Sequence, residues 1–234
     1  MNDLIAALDW TQMSADLQQH GYAQVKELLS AAQCQALIDG YDLKTGYRKT
    51  VVMARHRYGL GEYKYYDYPL PDLVQQLRSQ VYPHLVPIAN GWMIQLGIDT
   101  RFPPTLAELQ QQCQAQGQTK ATALILKYGM GGFNTLHQDL YGAVYFPLQI
   151  VLFLNEPEQD YTGGEFVLTE QMPRAQSRAT VLRPRRGDML IITTNFRPIV
   201  SSRGYSRAAM RHGVSTVHSG ARHTLGIIFH DALS

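Results

Sequence analysis

From about Thr122 to its end the chain is a succession of short runs rich in Val, Ile, Leu, Phe and Thr, cut at regular intervals by Gly, Pro and Asn. Such runs read as strands: TALILKYG, NTLHQD, PLQIVLFLN, GEFVLTE, RATVLRP, GDMLIITT, AAMRHGVSTV and RHTLGIIFH. Between them stand plausible turns, at Gly163-Gly164, Arg186-Gly187-Asp188 and Ser219-Gly220. Eight short strands joined this way point to a double-sheet jelly roll. NFRPIVSSRG, residues 195–204, reads as a loop ahead of the strand that bears His212.

The first 120 residues have a different texture and read as mostly helical. Ser30 to Gln33 and Thr105 to Glu108 both fit the capping box, a hydroxyl at the N-cap with Glu or Gln three residues on. A helix over LPDLVQQLRSQVYPHLVPIANGW is expected to be interrupted near Pro83 and Pro87. The fold class expected is therefore α+β, mainly β, with N-terminal helices packed on one sheet. A chain of 234 residues can build one core, and nothing in it resembles a linker. The expectation is one domain over 1–234, with a helical part to 120 and a jelly-roll core from 121.

No apolar run approaches the roughly 20 residues that span a bilayer, and the amino terminus MNDLIAALDW lacks the basic start of a signal peptide. Two cysteines, Cys34 and Cys113, argue against a disulfide framework and a thiolate metal site. A cytoplasmic protein without membrane attachment is expected. Net charge is only +2, yet between Met172 and Arg211 lie nine arginines, including Arg197, Arg203 and Arg207, with Asp188 and no other acid. They form either a solvated face paired with acids elsewhere or a positive surface for an anionic substrate.

The chemistry begins at LHQDLY, Leu136 to Tyr141. Side chains two apart on a strand share a face, so His137 and Asp139 would stand together beside apolar neighbours. A buried Asp without a partner costs several kcal/mol or goes neutral, and a divalent cation removes the difficulty. A histidine hydrogen-bonded to a carboxylate explains the pair alone equally well. The tail RHGVSTVHSGARHTLGIIFHD adds a third donor, His212 at the start of a strand, and then Arg222 with Thr224 on its face. Two imidazoles and one carboxylate with open positions suit non-haem Fe(II). A fixed guanidinium nearby suits a carboxylate held by two prongs, and 2-oxoglutarate uses both features.

The order His-x-Asp, His, then Arg ten residues on and Thr two later resembles the Fe(II)/2-oxoglutarate-dependent oxygenase superfamily. RYGLGEYKYYDYPLP, LHQDLYG, TGGEFVLTEQMPRAQSR and the tail resemble a bacterial subfamily labelled as acting oxidatively on methylated or damaged DNA. The resemblance implies a double-stranded β-helix and the cofactors Fe(II), 2-oxoglutarate and O2. It implies His137, Asp139 and His212 as metal ligands, and Arg222, Thr224 and Tyr128 as the 2-oxoglutarate site. The implied reaction hydroxylates a substrate C–H bond with release of succinate and CO2.

His218 is the rival third ligand, but it borders the Ser219-Gly220 turn, close to Arg222. His223 and His230 read as packing residues, Glu165 as a strand-start residue and Asp188 as a turn residue. YRKTVVMARHRYGLGEYKYYDYPLP interleaves basic and aromatic side chains, so Arg55, Tyr58, Tyr63 and Tyr65, with Arg197 and Arg207, are candidate substrate contacts. Alkylated DNA bases, undergoing oxidative demethylation, are one substrate reading. The alternatives are a protein side chain such as proline, a small anionic metabolite, or a non-catalytic module sensing iron or 2-oxoglutarate.

Overall fold

The computed structural model describes residues 1–202 and 204–234, so Arg203 of the arginine-rich stretch lies outside the described residues. In chain order the helices are α1 (Asn2–Ala6), α2 (Trp10–His20), α3 (Ala31–Asp39), α4 (Asp72–Gln95) and α5 (Leu106–Ala115). The strands are β1 (Tyr22–Val25), β2 (Tyr47–Val52), β3 (Gly59–Leu60), β4 (Glu62–Tyr66), β5 (Leu124–Tyr128), β6 (Phe133–His137), β7 (Leu148–Phe153), β8 (Tyr161–Gly163) and β9 (Phe166–Gln171). They continue as β10 (Arg178–Leu182), β11 (Met189–Thr193), β12 (Phe196–Ser201), β13 (Gly204–Val214), β14 (Val217–Gly220) and β15 (Arg222–Ile228).

Two antiparallel sheets face one another. The larger runs β1-β11-β7-β15-β5-β4-β2; the smaller runs β10-β9-β13-β6-β3, with β12 on the first half of β13. A strand pair β14-β8 closes one end. This is the expected jelly roll with helices on one face. The period of two along each strand of the large sheet sorts its side chains. Leu148, Ile150 and Leu152 of β7 and Leu225 and Ile227 of β15 join the core with the helices. Val151 and Phe153 of β7 pack instead with Phe166 and Leu168 of the small sheet. Residues of that inner parity, among them Gln149, Arg222, Thr224 and Tyr128, line the cavity between the sheets.

Four strands, β1 to β4, come from the part read as mostly helical; β1, β3 and β4 pair with strands from the second half, and β2 pairs with β4 at the sheet edge. The 195–204 stretch is not a loop: Phe196–Ser201 forms a hairpin with β13. Both capping boxes are present, with Ser30 and Thr105 accepting the N3 amides. The expected break in α4 is absent, and the helix runs unbroken through Pro83 and Pro87. Both prolines lie four apart on its exposed face while Val81, Tyr82, Leu85, Val86 and Ala89 are buried. On that face water can take the carbonyls the prolines leave without donors, and burial of the opposite face holds the helix.

Arg78 fixes α4 to the end of β15. Fully buried, it donates to the carbonyls of Ile228 (3.1 Å) and Phe229 (2.8 Å) and pairs with Asp231 at 2.7 Å. The strand that carries Arg222 is thereby tied to the longest helix. Cys34 and Cys113 are buried and free. Among the described residues, no helix is long and apolar enough to cross a membrane.

Candidate metal centre

His137 is the last residue of β6, and His212 lies two residues from the end of the eleven-residue β13. The two are register partners across the β6–β13 ladder. His212 therefore does not begin its strand as its sequence context suggested, and Asp139 does not share a strand with His137. The carboxylate sits just beyond β6, where the chain leaves the sheet. One donor atom from each of the three lies within 4.8 Å of the others, the one such cluster of at least three His, Cys, Asp or Glu side chains among the described residues.

The hydrogen bonds say which atoms are available. His137 Nδ1 lies 2.8 Å from the carbonyl of Thr135, an acceptor only, so Nδ1 carries the proton and Nε2 is bare in the neutral ring. That Nε2 faces Asp139 Oδ1 at 3.7 Å, and His212 Nε2 faces Oδ2 at 3.2 Å. Burial, and then the neighbouring His212, push the His137 pKa down and favour the neutral ring. A bare imidazole nitrogen pointed at a carboxylate oxygen is repulsive unless a cation lies between them. Adjacent ligands of an ion with bonds near 2.1 Å stand about 3 Å apart, close to these separations.

Burial alone would raise the Asp139 pKa, but the hydrogen bond and charge of His212, then His137 and Gln149, hold it well below the ordinary carboxylate range. Gln149 Nε2 donates to Oδ2 at 2.8 Å and the Tyr141 hydroxyl to Oδ1 at 3.0 Å. Phe166 stacks on the His212 ring at 5.8 Å and closes that side.

Arg222 enters the same cavity from the large sheet, with Tyr128 as its register partner on β5. It is 1% exposed, and none of its three guanidinium nitrogens has a hydrogen-bond partner. The rings of Phe153, Tyr128 and Tyr161 surround it at 5.4, 5.6 and 5.9 Å. A buried guanidinium held by ring faces alone has its donors in hand for an anion. Gly164 makes room for it: a Cβ there would stand 3.0 Å from Arg222 Cδ, at a φ of +62° that also favours glycine. Thr224 lines the cavity, and the Tyr128 hydroxyl accepts from Asn134 at 3.2 Å.

The other sequence candidates divide. Tyr63 and Tyr65 lie on β4, ring edge to ring face at 5.4 Å, and the Tyr65 hydroxyl reaches Tyr141 at 3.1 Å. Tyr58 is exposed, with His56 stacked on it and its carbonyl bonded to Thr135, two residues before His137. Arg55 is exposed in the turn just before it. Arg197 is not at the cavity: it is buried against Glu170 at 2.5 Å and donates to the Gln18 carbonyl, fastening α2 to β12. Arg207 lies over the Phe196 ring on the outer hairpin, also away from the cavity. Within the arginine-rich stretch, Arg178, Arg183 and Arg185 pair with Glu170, Glu165 and Glu156.

His218 is exposed on β14 and stands outside the cluster. His223 packs edge-on against Tyr41, and His230 accepts from the Phe146 amide at 3.1 Å. Glu165 bonds Ser215 and Arg183, and Asp188 caps the turn through Arg185 N. Sequence reasoning missed Gln149, Tyr141 and Asn134. Gln149, a polar residue inside the apolar run PLQIVLFLN, is the one that carried a visible signal.

Residues 61–232 match a family model described as "Oxygenase, catalysing oxidative methylation of damaged DNA". Two proteins of Mycobacterium tuberculosis, from strains CDC 1551 and H37Rv and both described as uncharacterized, are 50% identical over 164 residues, 70% of this chain and 70% of theirs. Among solved structures, a Pseudomonas putida prolyl-4-hydroxylase superposes with TM-score 0.53 at 17% identity, covering 93% of this chain and 96% of its own. A Burkholderia pseudomallei oxidoreductase of the 2OG-Fe(II) oxygenase family gives 0.53 at 15%, covering 97% and 93%. These two likenesses are likenesses of fold. The chain belongs to the oxygenase family whose model it matches over residues 61–232, and is an oxidoreductase.

Proposed function

We propose that His137, Asp139 and His212 hold the iron, that Arg222, Thr224 and Tyr128 receive the far carboxylate of 2-oxoglutarate, and that the substrate is an alkylated base in DNA. The observation that carries the site assignment is the Arg222 guanidinium, buried without a hydrogen-bond partner in the cavity that also holds the three-donor cluster. The donor set, two imidazole nitrogens and one carboxylate, suits Fe(II) and leaves positions open for a chelating co-substrate and dioxygen. When bound, the iron and 2-oxoglutarate supply oxygen activation, with succinate and CO2 as by-products and a hydroxylated C–H bond as product.

The chain's own part is geometric and electrostatic. Arg222 fixes one end of the co-substrate with a planar fork, and the ring faces around it exclude water. The Thr135 carbonyl accepts from His137 Nδ1 and so orients the ring with Nε2 toward the metal site. Leu124, Leu126, Val151 and Ile228 give the cavity apolar walls, which strengthens each charge interaction inside.

For the substrate, the family description points to damaged DNA, and the exposed residues on and beside β6, the strand that ends at His137, are of a suitable kind. Tyr58, His56 and Arg55 are exposed next to β6, and Phe133 and Leu136 of β6 are exposed as well. Aromatic faces beside cations are the usual equipment for unstacked bases. Hydroxylation of an N-methyl carbon there would release formaldehyde and leave the base demethylated. The protein, loaded anaerobically with Fe(II) and 2-oxoglutarate and then exposed to air, is expected to release succinate faster with N-methylated single-stranded DNA. DNA binding is expected to weaken steeply with salt. Stimulation by proline-containing peptides or amino acids with none by DNA would overturn the substrate assignment and leave the metal site standing.

A further inference from the structure

We propose that Tyr141, itself held by Tyr65, is a positioning residue that fixes the orientation of the Asp139 carboxylate toward the metal. The proposal rests on the metal assignment above and adds how the carboxylate is aimed. Asp139 lies beyond the end of β6, so the sheet ladder that sets the two histidines does not set it. Its two oxygens are instead claimed separately, Oδ1 by the Tyr141 hydroxyl at 3.0 Å and Oδ2 by Gln149 Nε2 at 2.8 Å. A carboxylate held at both oxygens cannot turn about its Cβ–Cγ bond, and that rotation decides whether one oxygen or both reach an ion.

The direction of the hydrogen bonds follows from what each group can do. The carboxylate only accepts, so the Tyr141 proton points to Asp139. Its oxygen is left to accept from Tyr65, whose hydroxyl lies 3.1 Å away. Tyr65 is held in turn, with the Arg48 guanidinium 4.6 Å over its ring and Tyr63 against it. The relay runs from the β2–β4 ribbon, through a residue 76 positions away from it in sequence, to the metal carboxylate. Chains of this kind polarise each member, and partners that orient a ligand typically contribute about ten- to a hundredfold in metal affinity.

The test is anaerobic titration of the full chain with Co(II), followed by its visible spectrum, for wild type, Tyr141→Phe, Tyr65→Phe and the double variant. Tyr141→Phe is expected to bind Co(II) about ten- to a hundredfold more weakly and with an altered ligand-field spectrum, at an unchanged melting temperature. Tyr65→Phe should lose less. The double variant should match Tyr141→Phe, because the outer hydroxyl acts only through the inner one. Wild-type affinity and spectrum in Tyr141→Phe, or losses that multiply in the double variant, overturn the proposal while the metal site stands. A wild-type protein that binds no Co(II) removes the metal assignment and the relay together. Should Tyr141→Phe fail to fold, Tyr65→Phe decides: undiminished Co(II) affinity overturns the relay.

Discussion

His212 stands directly opposite His137 across the β6–β13 ladder, with ring centroids 4.3 Å apart. Two imidazoles so placed put their Nε2 atoms on the two oxygens of one carboxylate. Alanine at His137, Asp139 or His212 is expected to abolish succinate formation and to weaken metal binding by more than about a hundredfold, beyond the loss typical of an outer partner. His218→Ala should keep both, since that ring is exposed on β14. Metal titration and succinate assay check this; loss in His218→Ala with survival in His212→Ala reverses the ligand assignment.

Arg222→Lys is expected to raise the 2-oxoglutarate concentration needed for half-maximal succinate release about ten- to a hundredfold. The lysine loses one charge-assisted bond of the fork, about 1.5–3 kcal/mol. Arg222→Met should abolish co-substrate binding yet melt no lower than the wild-type apoprotein, because a buried cation without a counter-ion is replaced by an apolar chain of similar length. Thermal melts with and without 2-oxoglutarate separate the effects. Co-substrate at a hundred times its Kd should stabilise wild type by about 2.7 kcal/mol and leave Arg222→Met unmoved.

Acid should destabilise the fold through two histidines. Burial lowers His230 from 6.5 to about 4, and burial with the Lys127 charge lowers His223 from 6.5 to about 4. The unfolded chain takes up both protons first as pH falls. The stabilising contribution is therefore complete above pH 6.5 and lost progressively between 6.5 and 4, by up to about 3 kcal/mol per ring. Urea unfolding across that range checks it. His230→Gln should flatten the profile, since the amide supplies an acceptor for Phe146 N without a titrating group.

Asp231→Ala is expected to cost about 3–5 kcal/mol, because it strands the fully buried Arg78 that fastens α4 to β15. Arg78→Met with Asp231→Leu should recover much of the loss. Denaturant midpoints for the single and double variants form the cycle that checks this. Independent, additive losses would show that the pair does not act as a unit.

Short apolar runs bounded by turn residues made most strands after Thr122 visible: β7, β11 and β15 are buried on both faces and read as continuous apolar runs, whereas β9 alternates between buried and partly exposed residues. β12 escaped notice because Pro198 and the Asn195 and Ser201 flanks look like turn chemistry; Pro198 is tolerated on β12 because it pairs with β13 alone. Strands β1 to β4 were hidden for another reason. They are two to six residues long; β1, β3 and β4 are held by pairing with distant strands, and β2 by pairing with β4. Pro83 and Pro87 misled because local propensity forbids them in a helix, whereas ten buried residues of α4 hold it together. Arg197 and its neighbours looked like an anion surface because the acids that neutralise them, Glu156, Glu165 and Glu170, lie outside that segment.

By itself the sequence determined the class of fold and the donor types, since strand parity and residue chemistry are written along the chain. It marked His137, Asp139, His212 and Arg222 by spacing. Only the tertiary structure decided that His137 and His212 share a ladder rung, that Asp139 lies off the sheet, and that Tyr141 and Gln149 each hold one of its oxygens. Register and burial arise from contacts between segments tens of residues apart, and no local pattern encodes which strand will lie beside which.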